Sequence, residues 1–107
     1  MEPISLLVMA VMGLFTGTAA AAVVSIGYLT MNAVMSWFQA RRHRLVTRHA
    51  VATTVVDLLA NGQYRTVQGV FNTSTRTWDE SRTIDSYRLS PDLADLHRYH
   101  RAVTYRV

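Results

Sequence analysis

His97 and His100 stand three residues apart in "HRYH", a spacing that places both imidazoles on one side of a helix. Two imidazoles are the beginning of a metal site, but a closed zinc site takes four ligands. No third ligand follows at a telling distance, since Asp95 faces elsewhere on the same helix. His43 and His49 lie among arginines, where contact with phosphate headgroups or a partner is the simpler role. Cysteine is absent, which removes thiol nucleophiles, thiolate–zinc sites, iron–sulfur clusters and disulfide frameworks. Asp79 and Glu80 beside Ser81, and Asp92 with Asp95, carry groups suited to acid–base work. Nothing in the chain couples them to a nucleophile or a pocket. Gly62 and Gly69 lie apart with no lysine after them, so no phosphate-binding loop is present. These residues imply a protein that is not an enzyme, with no catalytic residue, cofactor or metal assigned.

What remains is charge. The chain has a formal net charge of +4, with eleven arginines, no lysine, and every arginine at or after Arg41. Arg41, Arg42, Arg44 and Arg48 fall within eight residues, whereas acids and arginines nearly balance from His49 onward. A nucleic-acid-binding face needs a wider basic surface than this single cluster. The cluster suits anionic lipid headgroups instead.

From Pro3 to Gln39 there is no charged side chain. A cleaved signal peptide would need a basic start, a short apolar core and polar sequence after the small residues. Here the start is Met-Glu-Pro, and after Ala19–Ala22 the chain continues apolar through "VVSIGYLTM". The uncharged run Ile4–Phe38 exceeds the roughly 20 residues that cross a bilayer. It therefore predicts a transmembrane helix, crossing within residues 5–29 and leaving through the interface, or tilted and ending at Trp37. The arginine cluster sets the orientation, N-terminus outside and C-terminal domain cytoplasmic. Trp37 and Phe38 then belong to the interfacial aromatic belt. The "NTS" acceptor pattern at 72–74 would be idle in that compartment.

Gly13, Gly17, Ala21 and Ser25 recur every four residues, a small-residue stripe that lets two membrane helices approach closely. A single span can use such a face only against another chain.

The elements that follow are read from pattern. Between Gly27 and Gly62 there is neither Gly nor Pro. Leu45, Val51, Val55, Leu58 and Leu59 approximate one apolar face, predicting a helix over 45–60 that ends at Asn61-Gly62. "YRTVQGVFN" (64–72) and "WDESRTIDSYRL" (78–89) read as a hairpin around "TSTRT". Ser90 and Pro91 open a short helix with Leu89, Leu93 and Leu96 inward, and "VTYRV" is a final strand. The expected organisation is therefore 1–40 transmembrane helix and N-terminus, 41–49 basic juxtamembrane segment, and 50–107 small α+β domain. That domain would have αββαβ order and a sheet of about three strands. Tyr64, Phe71, Trp78 and Tyr87 on the hairpin are candidate protein contacts, because such aromatics are enriched at interfaces.

The function these expectations compose is a non-catalytic single-span accessory subunit, capping a larger integral membrane complex such as a respiratory or photosynthetic one. Its partners would be integral membrane protein subunits and anionic lipid headgroups, not nucleic acid. A self-associating homo-oligomer and a membrane-anchored recruitment module are the alternatives.

Overall fold

A computed structural model of the chain describes residues 2–5 and 23–107. Its elements run β1 (Glu2–Ser5), β2 (Val23–Leu29), α1 (Met31–Ala40), a 3-10 turn (Arg42–Leu45), β3 (Ala50–Leu58), β4 (Tyr64–Asn72), β5 (Thr77–Leu89), α2 (Pro91–Leu96) and β6 (Ala102–Arg106). The strands form one mixed sheet in the order β1-β6-β3-β4-β5-β2. Five of the six belong to residues 23–107, and β1 extends one edge. Neighbouring strands are antiparallel except β2 and β5, which run parallel.

Strand alternation gives the sheet two distinct faces. One carries Ala52, Ile84, Val103 and Tyr105, packed with Leu29 and with Val34, Phe38 and Leu93 of the two helices. The other carries Val55, Val67, Phe71 and Ala102, flanked by Val51 and Trp78. Both sets are buried.

The transmembrane expectation is overturned here. Among the described residues no helix is long and apolar enough to cross a membrane. With it fall the single-pass architecture and the outside-to-cytoplasm orientation derived from it. Val23–Leu29 is a strand because Val23, Val24, Ile26 and Tyr28 are β-branched or aromatic and fit a pleated surface. Thr30 then stops the strand and caps α1, its Oγ1 accepting the Ala33 N–H at 3.1 Å. The ten residues of α1 bury Val34 and Phe38, one turn apart, against the sheet. Phe38 is a core residue, not an interfacial one, and Trp37 packs partly buried against the same core.

The helix expected over 45–60 is also corrected, since Ala50–Leu58 is strand β3. It lies between β6 and β4 and is buried on both faces. Such a strand loses the polar alternation that would reveal it. The αββαβ order and three-stranded sheet are accordingly replaced by a larger mixed sheet with two helices. The 64–72 and 77–89 hairpin is present, as is the helix after Ser90, whose Oγ accepts the Met31 N–H at 2.9 Å and ties the starts of α2 and α1 together.

Gly69 sits where β4 leaves no room for a side chain. A Cβ there would collide with the Glu80 backbone carbonyl oxygen and come within 2.7 Å of the Trp78 ring. Here β5 bulges: Val70 pairs with Glu80 and Phe71 with Trp78, leaving Asp79 without a cross-strand partner. Gly69→Ala is expected to cost about 2 kcal/mol, the scale of core overpacking, read as a lowered urea midpoint with unchanged slope.

Candidate functional site

Arg41 ends α1, and three features of its neighbourhood fix its guanidinium. Its Nε lies 2.7 Å from Glu80 Oε2, its Nη1 donates to the Trp37 carbonyl at 3.3 Å, and its Cζ stands 3.9 Å over the Trp37 ring. Arg44, one 3-10 turn later, brings its Nε to 3.0 Å from the second oxygen of Glu80. One carboxylate thus serves two arginines. The bulge in β5 precedes Glu80 by a single residue and helps to direct it toward the end of α1. Arg82, two residues on, donates through Nε to Gln68 Oε1 at 2.8 Å, with its Cζ 5.4 Å from the Trp37 ring centre. Burial, and then repulsion from Arg41, lowers the pKa of the Arg82 guanidinium.

These contacts anchor the root of a basic ledge formed by residues 41–49. Beyond Arg41 the ledge exposes Arg42, His43, Arg44, Arg48 and His49, with no carboxylate of its own. Leu45 turns inward against the helix-side core, whereas Val46 stands 80% exposed among the arginines. The four arginines expected at lipid headgroups (41, 42, 44 and 48) therefore share one surface segment, with Arg41 set as its anchor.

The other sequence candidates are dispersed. Gly13, Gly17 and Ala21 lie outside the described residues, and Ser25 is an exposed position on strand β2, not on a helix. Phe71 is fully buried, with Trp78 edge-on against it at 5.2 Å. Tyr64 is half-buried at the rim of a groove, and only Tyr87 is largely exposed. Sequence reading missed Gln68 and the clamping role of Glu80. No spacing signals them, because Gln68 meets Val34 and Glu80 meets Arg41 through the fold, 34 and 39 residues away.

The groove, about 400 Å³, lies between α2 and the adjoining ends of β3 and β4, with Val56, Leu58 and Ala94 among its walls and Asp57, His97 and Arg101 beside them. Its charges are already matched. Arg101 Nη2 donates to Asp57 at 2.6 Å, and Arg98 pairs with Asp95 at 2.5 Å. His97 Nδ1 donates to the His100 carbonyl at 3.0 Å, which fixes Nε2 as the acceptor for Thr54 Oγ1 at 2.8 Å. Thr54 Oγ1 in turn accepts from the Tyr105 hydroxyl at 2.7 Å. This chain of hydrogen bonds holds a neutral imidazole. It leaves no ring nitrogen for a metal or for proton transfer to a substrate. Among the described residues no three His, Asp or Glu side chains gather in a way that could hold a metal ion.

No protein-family model, curated protein or solved structure matches this chain.

Burial lowers the His97 pKa from 6.5 to about 4, and it raises the Tyr105 pKa to about 12. The unfolded chain therefore takes up the His97 proton before the folded one does. Its contribution to stability is complete above pH 6.5 and is lost as pH falls from 6.5 to about 4, by up to about 3 kcal/mol. Urea titrations across that window should show the loss, and His97→Gln should flatten the dependence while lowering stability at neutral pH.

Proposed function

We propose that this protein is a non-catalytic accessory module that docks peripherally, through its arginine ledge, on a surface of anionic lipid headgroups. The carrying observation is the exposed run Arg42–His49, which presents three arginines and two histidines around an 80%-exposed Val46, with no carboxylate in the run. Each arginine near an anionic membrane surface contributes about 1 kcal/mol of attraction. An apolar tip among cations gains further by entering the headgroup boundary, whereas it gains little against a phosphodiester backbone. At the root of the run Glu80 is shared by Arg41 and Arg44, and Arg82 adds a further guanidinium beside Trp37. Membrane protein subunits at such a surface are the natural neighbours for an accessory module.

The non-catalytic part of the reading rests on the groove. Its ionic groups are committed to one another and its histidine has both nitrogens engaged.

Co-sedimentation with phosphatidylcholine vesicles, with and without phosphatidylserine, tests the reading. Binding should require phosphatidylserine and weaken at high salt. Arg42→Gln with Arg48→Gln should reduce it roughly thirtyfold, the equivalent of about 2 kcal/mol, with the thermal midpoint unchanged. Val46→Asp should reduce it as well. Equal binding to both vesicle types, or none to either, would refute the proposal. Displacement by duplex RNA at matched phosphate concentration would transfer the ledge to nucleic acid.

A further inference from the structure

Arg82 on β5 is half-buried, and among the described residues no carboxylate reaches it. Its Nε donates to Gln68 Oε1, whereas neither Nη takes part in a hydrogen bond or ion pair among those residues. Residues 3–39 carry no charged side chain, so no acid can come from that part of the chain. Glu80 stands two residues away on the same face of β5, since Val70 and Gln68 are their partners on β4. Both of its oxygens, however, are engaged by Arg41 and Arg44. The Trp37 ring gathers the cations: the Arg41 Cζ lies 3.9 Å and the Arg82 Cζ 5.4 Å from its centroid. Three guanidinium groups against a single carboxylate leave an excess of two positive charges. A partly desolvated charge without a partner is costly, and burial, then repulsion from Arg41, depresses the Arg82 pKa for that reason. We infer that Arg82, with Arg41 and Arg44, seats one phosphomonoester-type dianion at the root of the ledge.

The local charge and donor set select this anion. A phosphate monoester offers close to two negative charges and three acceptor oxygens. These match the excess charge and the donors left over, which are both Nη groups of Arg82, Nη2 of Arg41 and the Nη groups of Arg44. A guanidinium presents two parallel N–H groups to such an oxyanion, which a lysine cannot do. Arg82 is also held in place, because Gln68 fixes its Nε and is itself fixed by the Val34 carbonyl. A lone carboxylate, or the diester phosphate of phosphatidylserine, brings one charge and leaves the excess half balanced. The seat does not rest on the ledge reading, since inorganic phosphate reads it without lipid.

Inorganic phosphate titrated into the full chain at constant ionic strength, with chloride as the control, tests the seat through the arginine Nε–H resonances. The Arg82 and Arg41 signals should shift and saturate at one phosphate per chain, in the millimolar range, and chloride should move neither. Arg82→Lys keeps the charge but loses the fork. It should weaken phosphate roughly tenfold, the size of one charged hydrogen bond, with an unchanged circular dichroism spectrum. Glu80→Gln removes the competing carboxylate and should tighten phosphate severalfold. No saturable shift, an equal shift with chloride, undiminished affinity in Arg82→Lys, or weakened binding in Glu80→Gln would overturn the inference. Vesicles separate the two sources of the group. Preference for phosphatidic acid over phosphatidylserine at matched surface charge, abolished by Arg82→Lys, puts a lipid headgroup in the seat. Equal binding of the two lipids, with the phosphate titration intact, makes a soluble phosphomonoester the ligand. Failure of all vesicle binding would refute the ledge and leave the phosphate result standing.

Discussion

Gln68 is fully buried in an interior strand, where an unpaired carboxamide would cost about 1–3 kcal/mol. Its Nε2 donates to the Val34 carbonyl of α1 at 2.7 Å, and its Oε1 accepts from Arg82 on β5. One side chain therefore locks a helix, a central strand and the next strand into a single arrangement. The placement of α1 follows from it. Val34 and Phe38 face the sheet, Trp37 faces Arg82, and Arg41 emerges where Glu80 can meet it. Moving Gln68 to the other face by a one-residue slip of β4 would strand the carboxamide and expose the core set together.

The same principle sorts the arginines. Two arginines away from the ledge are matched: Arg65 on β4 forms a two-pronged contact with Asp85 at 2.9 and 3.0 Å, and Arg101, just before β6, meets Asp57. The bond to Asp85 is the main reason the Arg65 pKa is raised. On the ledge the stoichiometry changes. Glu80 is divided between Arg41 and Arg44, and Arg42 and Arg48 stay in solvent. Excess charge near a structured anchor differs from excess charge on a loose tail, because the anchor holds the ledge's direction without consuming its field.

Part of this was readable in the sequence. The hairpin was, because "YRTVQGVFN" is β-rich and the following residues turn; in the structure Asn72 Oδ1 accepts the Ser74 and Thr75 N–H groups there. Ser90-Pro91 announced α2, and Val103 and Tyr105 do share the helix-side face. The basic segment was legible as composition. Strand β3 was not, because "AVATTVVDL" is buried on both sides, and threonines at the interior are as dry as the valines. Glu80 was visible only as half of an acidic pair. Its partners come from α1 and the turn after it, and no periodicity along one strand encodes that meeting.

The uncharged run that pointed to a membrane shows the limit of hydropathy most clearly. A protein interior and a bilayer both reward the absence of charge, so neither is identified by it. What separates them is where the backbone hydrogen bonds go. A segment alone in lipid must satisfy its own, which demands a long helix. Val23–Leu29 takes its bonds from β5, more than fifty residues further along the chain, and Met31–Ala40 is a helix too short to span. Reliance on a distant strand also explains the exposed edge. A strand can be satisfied from two sides; β5 supplies one, and among the described residues no strand pairs with the other, where Val23, Val24 and Tyr28 are exposed.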